Sequence, residues 1–300
     1  MRWLALGVVL LACGSSEPTK IENGLHTIYS MDLGAVSNRR ASLEQAVKVM
    51  RKRLSAAHIV GTVGIEGEQL AVDLAGADDD TIARARDLIA RTAQFEIKVV
   101  DHDAPVMRDL YARVPTDTDA LAAGIRAETD RWHGDRVDYY LVALDRRVLE
   151  QYLARVKLPD DRVFAFERIP HNWRTYYVER KSALTSMAIE DAFAAPDPNT
   201  NRPTVRITLD DAGAESFAAL TKRSVGNKLA LLLDGRVINA PVIMEPIKGG
   251  KLSLTLADDA RPTDARDLAI ALASGPLPAP VVEESAALIK NGRVIAPRSF

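Results

Sequence analysis

An α+β fold is predicted, and three observations predict it. The first hundred residues alternate short strand patterns with helical stripes. A continuous apolar run followed by Asp-Gly marks a β-hairpin in the second half. Composition is that of a globular chain: 47% of the 300 residues are hydrophobic and 27% charged, which excludes disordered and collagen-like classes. As a soft prior, this length means about two domains.

Thr27 to Leu33 can form a strand. Ser42-Leu43-Glu44-Gln45 has capping-box form. Leu43, Ala46, Val47, Met50, Leu54 and Ala57 follow at helical spacing, with Lys48, Arg51, Lys52 and Arg53 mostly on the other face. Those four cations read as a solvated face, or as a contact for phosphate or lipid head groups. Thr62–Glu66 and Gln69–Leu74 are two short strands around Gly67. Asp79 and Asp80 suit a helix start, and Ile82, Ala85, Leu88 and Ile89 form the stripe of that helix. Ala93 to Val100 is read as the last strand. The order β-α-β-β-α-β is the ferredoxin-like, split βαβ arrangement. It assigns 27–100 to a base subdomain, with 257–285 as a possible completion.

Residues 101–175 are polar and read as an insertion or subdomain. Asp117–Arg131 is expected to be helical, Tyr139–Ala143 a strand and Asp145–Arg155 a helix. Residues 176–256 are expected to form a second α+β unit, the head. Thr204–Leu209 alternates as a half-buried strand, Asp210 or Asp211 can cap a helix carrying Phe217 and Leu220, and Leu229–Leu233 is apolar throughout. Asp234-Gly235 then turns the chain into Arg236–Ile243. Pro241 removes a donor, so that strand is expected at a sheet edge or with a bulge. Gly249-Gly250 leads to Leu252, Leu254 and Leu256. Asp264–Ser274 is a helix ended by Gly275, followed by an extended Pro276, Pro278, Pro280 exit. Residues 286–300 are expected to be a tail.

The N-terminus reads as an address. Arg2 precedes an apolar run, Trp3–Ala12, too short to span a bilayer but suited to a secretory h-region. Leu10-Leu11-Ala12-Cys13 resembles the lipobox of bacterial lipoproteins. That resemblance implies a signal peptide over 1–12, a diacylglycerol on the Cys13 thiol and a tether over 13–26. The alternative is a plain cleaved signal with an incidental Cys. Two or three acyl chains anchor firmly where one does not. Gly14 is not Asp, so the inner-membrane retention signal of Gram-negative lipoproteins is absent, which favours the outer membrane in such a cell. No later segment is apolar for 18 residues, so the chain is expected to be anchored without spanning.

Several functions are excluded or demoted. Lys and Arg total 39 against 41 acids, a net charge of -2, which gives no footprint for nucleic acid. Cys13 is the one cysteine, so neither an intrachain disulfide nor a Cys-based zinc site is expected. His26, His58, His102, His133 and His171 are scattered without zincin spacing. Asp101-His102-Asp103 reads as a solvated loop before it reads as a metal site. Ser182 and Ser186 lack a nucleophile-elbow turn, and Asp234 is explained as turn chemistry. Trp132, Trp173, Tyr176 and Tyr177 are core packing, or the lining of a peptide groove. No metal, cofactor or catalytic residue is expected, and the chain is not expected to be an enzyme.

Four stretches in register resemble the SecD family. Leu43–Leu54 (LEQAVKVMRKRL) looks like its first periplasmic helix, and Arg91–Lys98 (RTAQFEIK) like a base strand. Leu220–Ile247 resembles its head hairpin almost throughout, and Leu272–Pro280 the end of that domain. The resemblance implies a first periplasmic domain with base and head, the head holding emerging preprotein. In SecD one transmembrane helix precedes this domain and five follow it. Here Cys13 is expected to replace the first as tether, and the proton-driven cycle does not carry over. The expected function is binding of exported or unfolded polypeptide in translocation or envelope biogenesis. The Sec translocon is an expected partner, and the site is at Asn239 and Val242, where strand 236–243 recruits a segment by β-addition. A scaffold lipoprotein with a fixed envelope partner is the alternative.

Overall fold

Residues 21–34, 38–76, 78–134, 136–256 and 260–298 are described by a computed structural model; the signal segment and Cys13 lie outside them. The first unit contains β1 (Gly24–Met31), α1 (Arg39–Ala56), β2 (Gly61–Glu66), β3 (Gln69–Ala75) and α2 (Asp79–Ala90). The middle runs through β4 (Phe95–Val99), α3 (Pro105–Arg113), α4 (Thr118–Ala122), β5 (Arg126–His133), β6 (Arg136–Ala143), α5 (Arg146–Leu153), β7 (Arg162–Ile169) and β8 (Asn172–Glu179). Then come β9 (Leu184–Thr185), β10 (Ile189–Pro196), β11 (Pro203–Leu209), α6 (Asp211–Arg223), β12 (Leu229–Leu233), β13 (Arg236–Asn239) and β14 (Lys251–Thr255). The chain returns through α7 (Pro262–Ser274), β15 (Val281–Lys290) and β16 (Arg293–Arg298).

In the base, burial alternates along β1 and β3, because successive strand side chains point to opposite faces. Leu70, Val72 and Leu74 meet Leu43, Ala46, Val47, Met50 and Leu54 of α1 and Ala85 and Ile89 of α2 in one core. Helix α1 starts one turn earlier than its Ser42 suggests. Asn38 is the N-cap, accepting from the Ala41 N–H at 3.0 Å. Asn38→Ala should lower stability by about 1 kcal/mol in urea unfolding, whereas Ser42→Ala should leave it nearly unchanged.

The base sheet has the order β16-β15-β1-β3-β2, all antiparallel. This corrects the expectation for 93–100. The place beside β1 belongs to β15, while β4 pairs with β12 and β9. Phe95 and Ile97 are needed in another core, with Leu229 and Leu231. Closure begins at Val281 and runs past 285, and residues 286–300 contain the end of β15 and all of β16 rather than a tail.

The middle residues do not stand apart. They form one eight-stranded sheet with the hairpin of the second half, in the order β5-β6-β8-β7-β13-β12-β4-β9. The helix expected over 117–131 is the short α4; Gly124, at φ 72°, follows it. Strand β5 then pairs with β6 from Arg126↔Val142 onward, and this pairing overrides the helical propensity of its Ala, Glu and Arg.

In the head, α6 is capped by Asp210, which accepts from the Gly213 N–H at 2.7 Å. Asp234 and Gly235 have φ of 51° and 71°, as a type I′ hairpin requires. Helix α7 ends where Gly275 takes φ 90°. A three-stranded sheet, β10-β11-β14, packs with α6 and α7. Of the two expectations for this strand, a sheet edge or a bulge, the structure has the second: β13 ends at Asn239 and lies inside the large sheet, with β12 on one side and β7, through Val237↔Glu167, on the other, and its pairing with β12 skips Ile238. Val242 and Ile243 make only isolated bridges, to Lys228 and Val225.

Candidate functional site

An apolar cavity of about 270 Å³ lies in the head where four elements converge. Its wall is Ile97 of β4, Phe217 of α6, Leu229 and Leu231 of β12, and Leu252 of β14, with Ile243 and Ile247 from the connection between β13 and β14. Each wall residue follows from the local fold. The apolar β12 is covered on both faces, and α6 turns its Phe217 stripe onto it. Pro241, Lys251 and Ser253 are exposed lining residues. A concave apolar site with few polar groups binds apolar side chains without chemistry. Asn239 and Val242 flank the lining residue Pro241; Asn239 is exposed and Val242 half-buried. Neither is among the residues that line the cavity, and the sheet edge on which β-addition would have relied is occupied, since β13 lies between β12 and β7.

The aromatic and His-containing motifs converge elsewhere, on a buried ionic cluster that sequence reasoning missed. Asp138 of β6 is its centre. His102 Nδ1 lies 2.7 Å from Asp138 Oδ1, and Trp132 Nε1 donates to the same oxygen at 2.9 Å. The Lys228 ammonium donates to Oδ2, and Arg174 sits 3.7 Å from it. The other nitrogen of His102 accepts from the Lys228 backbone N–H at 3.2 Å. The ring therefore keeps its proton on Nδ1 and has no nitrogen left for a metal. Arg174 lies over Tyr140 at 4.0 Å and Tyr176 at 4.6 Å, while Lys228 lies over Trp132 at 4.7 Å. Burial pushes the Asp138 carboxyl up, but hydrogen bonds from His102 and Lys228, with the charge of the Lys228 ammonium, outweigh it and hold the group below the usual carboxylate range. Burial raises the Tyr176 phenol, which donates to Glu167 at 2.7 Å. Trp173 and Tyr177 pack with Phe166 and Leu149 in the middle core. The signals available were a lone acid among apolar positions of β6 and a lone Lys abutting Leu229–Leu233.

The remaining candidates have structural partners. Ser186 Oγ accepts from the Phe95 N–H at 2.6 Å and donates to the Ala93 carbonyl at 3.0 Å. Ser182 donates to Glu96. His26 Nδ1 is 2.6 Å from Asp73. Asp234 accepts from Thr92 Oγ1 and the Gln94 N–H. Among the described residues no group of three or more His, Cys, Asp or Glu is placed to hold a metal. The basic run on α1 splits. Arg51 reaches the Val63 carbonyl at 2.9 Å, and Arg53 is fully buried. Lys48 and Lys52 remain on a groove that also touches Arg40, Glu44 and Ile65. Among the described residues no helix is long and apolar enough to cross a membrane.

Fold and cavity together define a mixed α+β protein of several sheets with an apolar concavity between β4, α6, β12 and β14. Residues 161–279 match the family model of the SecDF, P1 head subdomain. Protein translocase subunit SecD of Desulfurispirillum indicum is 30% identical over 245 residues, which is 81% of this chain and 40% of that protein. A crystal structure of SecDF in a super-membrane-facing form superposes with a TM-score of 0.61 at 24% identity, covering 92% of this chain and 32% of the other. A second structure, titled for a membrane component SecDF that enhances protein export, gives 0.57 at 23%, covering 86% and 97%. The chain is SecD-like, and its described part has the fold of the SecDF periplasmic domain. It spans about two fifths of the length of the curated relatives it matches.

Proposed function

We propose that this SecD-like chain is a non-catalytic envelope lipoprotein that binds exported polypeptide during protein translocation. In this reading it is acylated at Cys13, faces the periplasm and works alongside the Sec translocon. The supporting observation is the apolar head cavity, which lies largely within the segment that matches the P1 head subdomain. An unfolded segment offers isolated apolar side chains to such a concavity, and its release needs no bond cleavage. Binding through side chains also suits a site whose neighbouring strand β13 has both edges occupied.

Photo-crosslinkers at Asn239 and Val242 test it. Labelling of exported chains should exceed by severalfold that from Leu144, which is 74% exposed on the middle region. Equal labelling at all three would refute polypeptide binding at this site. Purification of the chain from membranes should bring translocon subunits with it. A single stoichiometric envelope partner, with no affinity for unfolded chains, would establish the scaffold alternative instead.

A further inference from the structure

The described chain begins at the β15–β16 turn. Gly292 N–H donates to the Glu22 carbonyl at 2.8 Å, and Asn291 N–H to Asn23 Oδ1 at 3.4 Å. Gly24 pairs with Ile289 on one side and Ala75 on the other, and Ala75 N–H donates to the Val60 carbonyl at 2.9 Å. This end of the base carries exposed Lys290 and Arg293. It also carries exposed apolar residues: Val60 at 61%, Val294 at 54% and Ile295 at 57%. Val294 and Ile295 thus put adjoining exposed apolar surface on β16. Among the described residues neither cation has a carboxylate partner.

The preceding sequence says what covers this surface. Ile21 is eight residues beyond Cys13 and nine beyond the apolar run Trp3–Ala12. A fully extended chain advances about 3.3–3.6 Å per residue, so a membrane attachment at Cys13 lies within roughly 30 Å of Ile21. Two cations flanking exposed Val and Ile are complementary to an anionic lipid surface, which attracts basic residues and accepts shallow apolar side chains. Glu22, Asp79 and Asp80 are also exposed near this end, so the contact belongs to the hairpin rather than to the whole end.

We propose that the β15–β16 hairpin, through Lys290, Arg293, Val294 and Ile295, is a second contact with an anionic lipid bilayer. It rests on the reading that the chain is membrane-attached at Cys13. A single attachment point leaves a domain free to swivel; a second contact restricts that swivel and fixes which end of the base faces the lipid.

The full chain, purified from membranes, is reconstituted in phosphatidylcholine vesicles with or without about a third phosphatidylglycerol. An environment-sensitive fluorescent amino acid replaces Ile295 or, as a remote control, Met187, which is 78% exposed in the head. Fluorescence at 295 should rise severalfold with phosphatidylglycerol and be quenched by lipid-borne nitroxide, while position 187 should do neither. Lys290→Ala with Arg293→Ala should shift the ratio of lipid-contacting to free hairpin roughly 30-fold towards free. Mass analysis of the N-terminal peptide reports acylation separately. An acylated chain whose position 295 behaves like 187 overturns the hairpin contact and leaves the anchor standing. A response at 295 without acyl chains keeps the contact and overturns the anchor. Neither response nor acylation overturns both.

Discussion

Asp138→Ala is expected to destabilise the protein by about 3–5 kcal/mol, because removing the carboxylate leaves the buried Lys228 and Arg174 cations without their anion and the His102 N–H without its acceptor. Lys228, Arg174 and His102 converge on that carboxylate from three segments, so no single neighbour can turn to water in compensation. The loss is a large part of the stability of an ordinary domain. Asp138→Asn should recover little, since its amide would present hydrogens to the Lys228 ammonium. Urea unfolding followed by tryptophan fluorescence reads the effect directly, as Trp132 donates to Asp138. The folded protein holds this carboxyl below its ordinary range. Its stabilisation is therefore present above the unfolded value of about 3.9 and is lost as pH falls through the lower folded value. The gap between wild type and Asp138→Asn should begin to narrow below about pH 4 and close only once the pH is under the lowered folded value. A gap unchanged down to the acid transition would show that the cluster is not held by this charge.

Arg53→Met should be comparably severe, about 3–5 kcal/mol, by leaving several buried acceptors without a donor. Arg53 is 0% exposed. Its guanidinium donates to the carbonyls of Leu88 at 3.1 Å, Ile89 at 3.4 Å and Arg91 at the end of α2, and to Gly275 at 3.0 Å just past α7. Helix ends have orphan carbonyls and a partial negative charge, and this one cation serves two of them. Burial lowers its pKa to about 10, so it stays charged at neutral pH. Hydrogen exchange should show α2's last turn and the 275–279 segment losing protection together in Arg53→Met, with Arg53→Lys restoring less than half. Independent loss at only one of the two would refute a joint role.

Features decided within a few residues were legible in the sequence. Asp210-Asp211 before an apolar stripe placed the α6 cap at one of two residues, of which Asp210 fills it; Asp234-Gly235 marked a turn with two positive φ values, and the unbroken LALLL run a strand covered on both faces. Pairing partners were not legible, because β4 and β15 both carry burial-capable strand patterns and the choice of neighbour depends on which core each completes. Arg53 illustrates a different failure. Its spacing of three and four from Met50 and Val49 puts it on the buried side, but its charge argued for water. The cavity was not legible: Asn239 and Val242 only neighbour its lining residue Pro241 in the chain, and Ile97 and Phe217 reach it from positions far away. The Asp138 cluster joins residues 90 and 126 positions apart, a relation no periodicity contains.

The closure of the base by β15 has a kinetic consequence. Asn23 and Asn291, which meet at its end, are 268 positions apart, so the first-made lobe waits until β15 has been made. Until then β1 offers bare amides along one edge to any passing strand, and the nascent molecule has its greatest need of a chaperone while its other sheets are already forming. Slow, late consolidation of the first-made residues is the expected order of maturation.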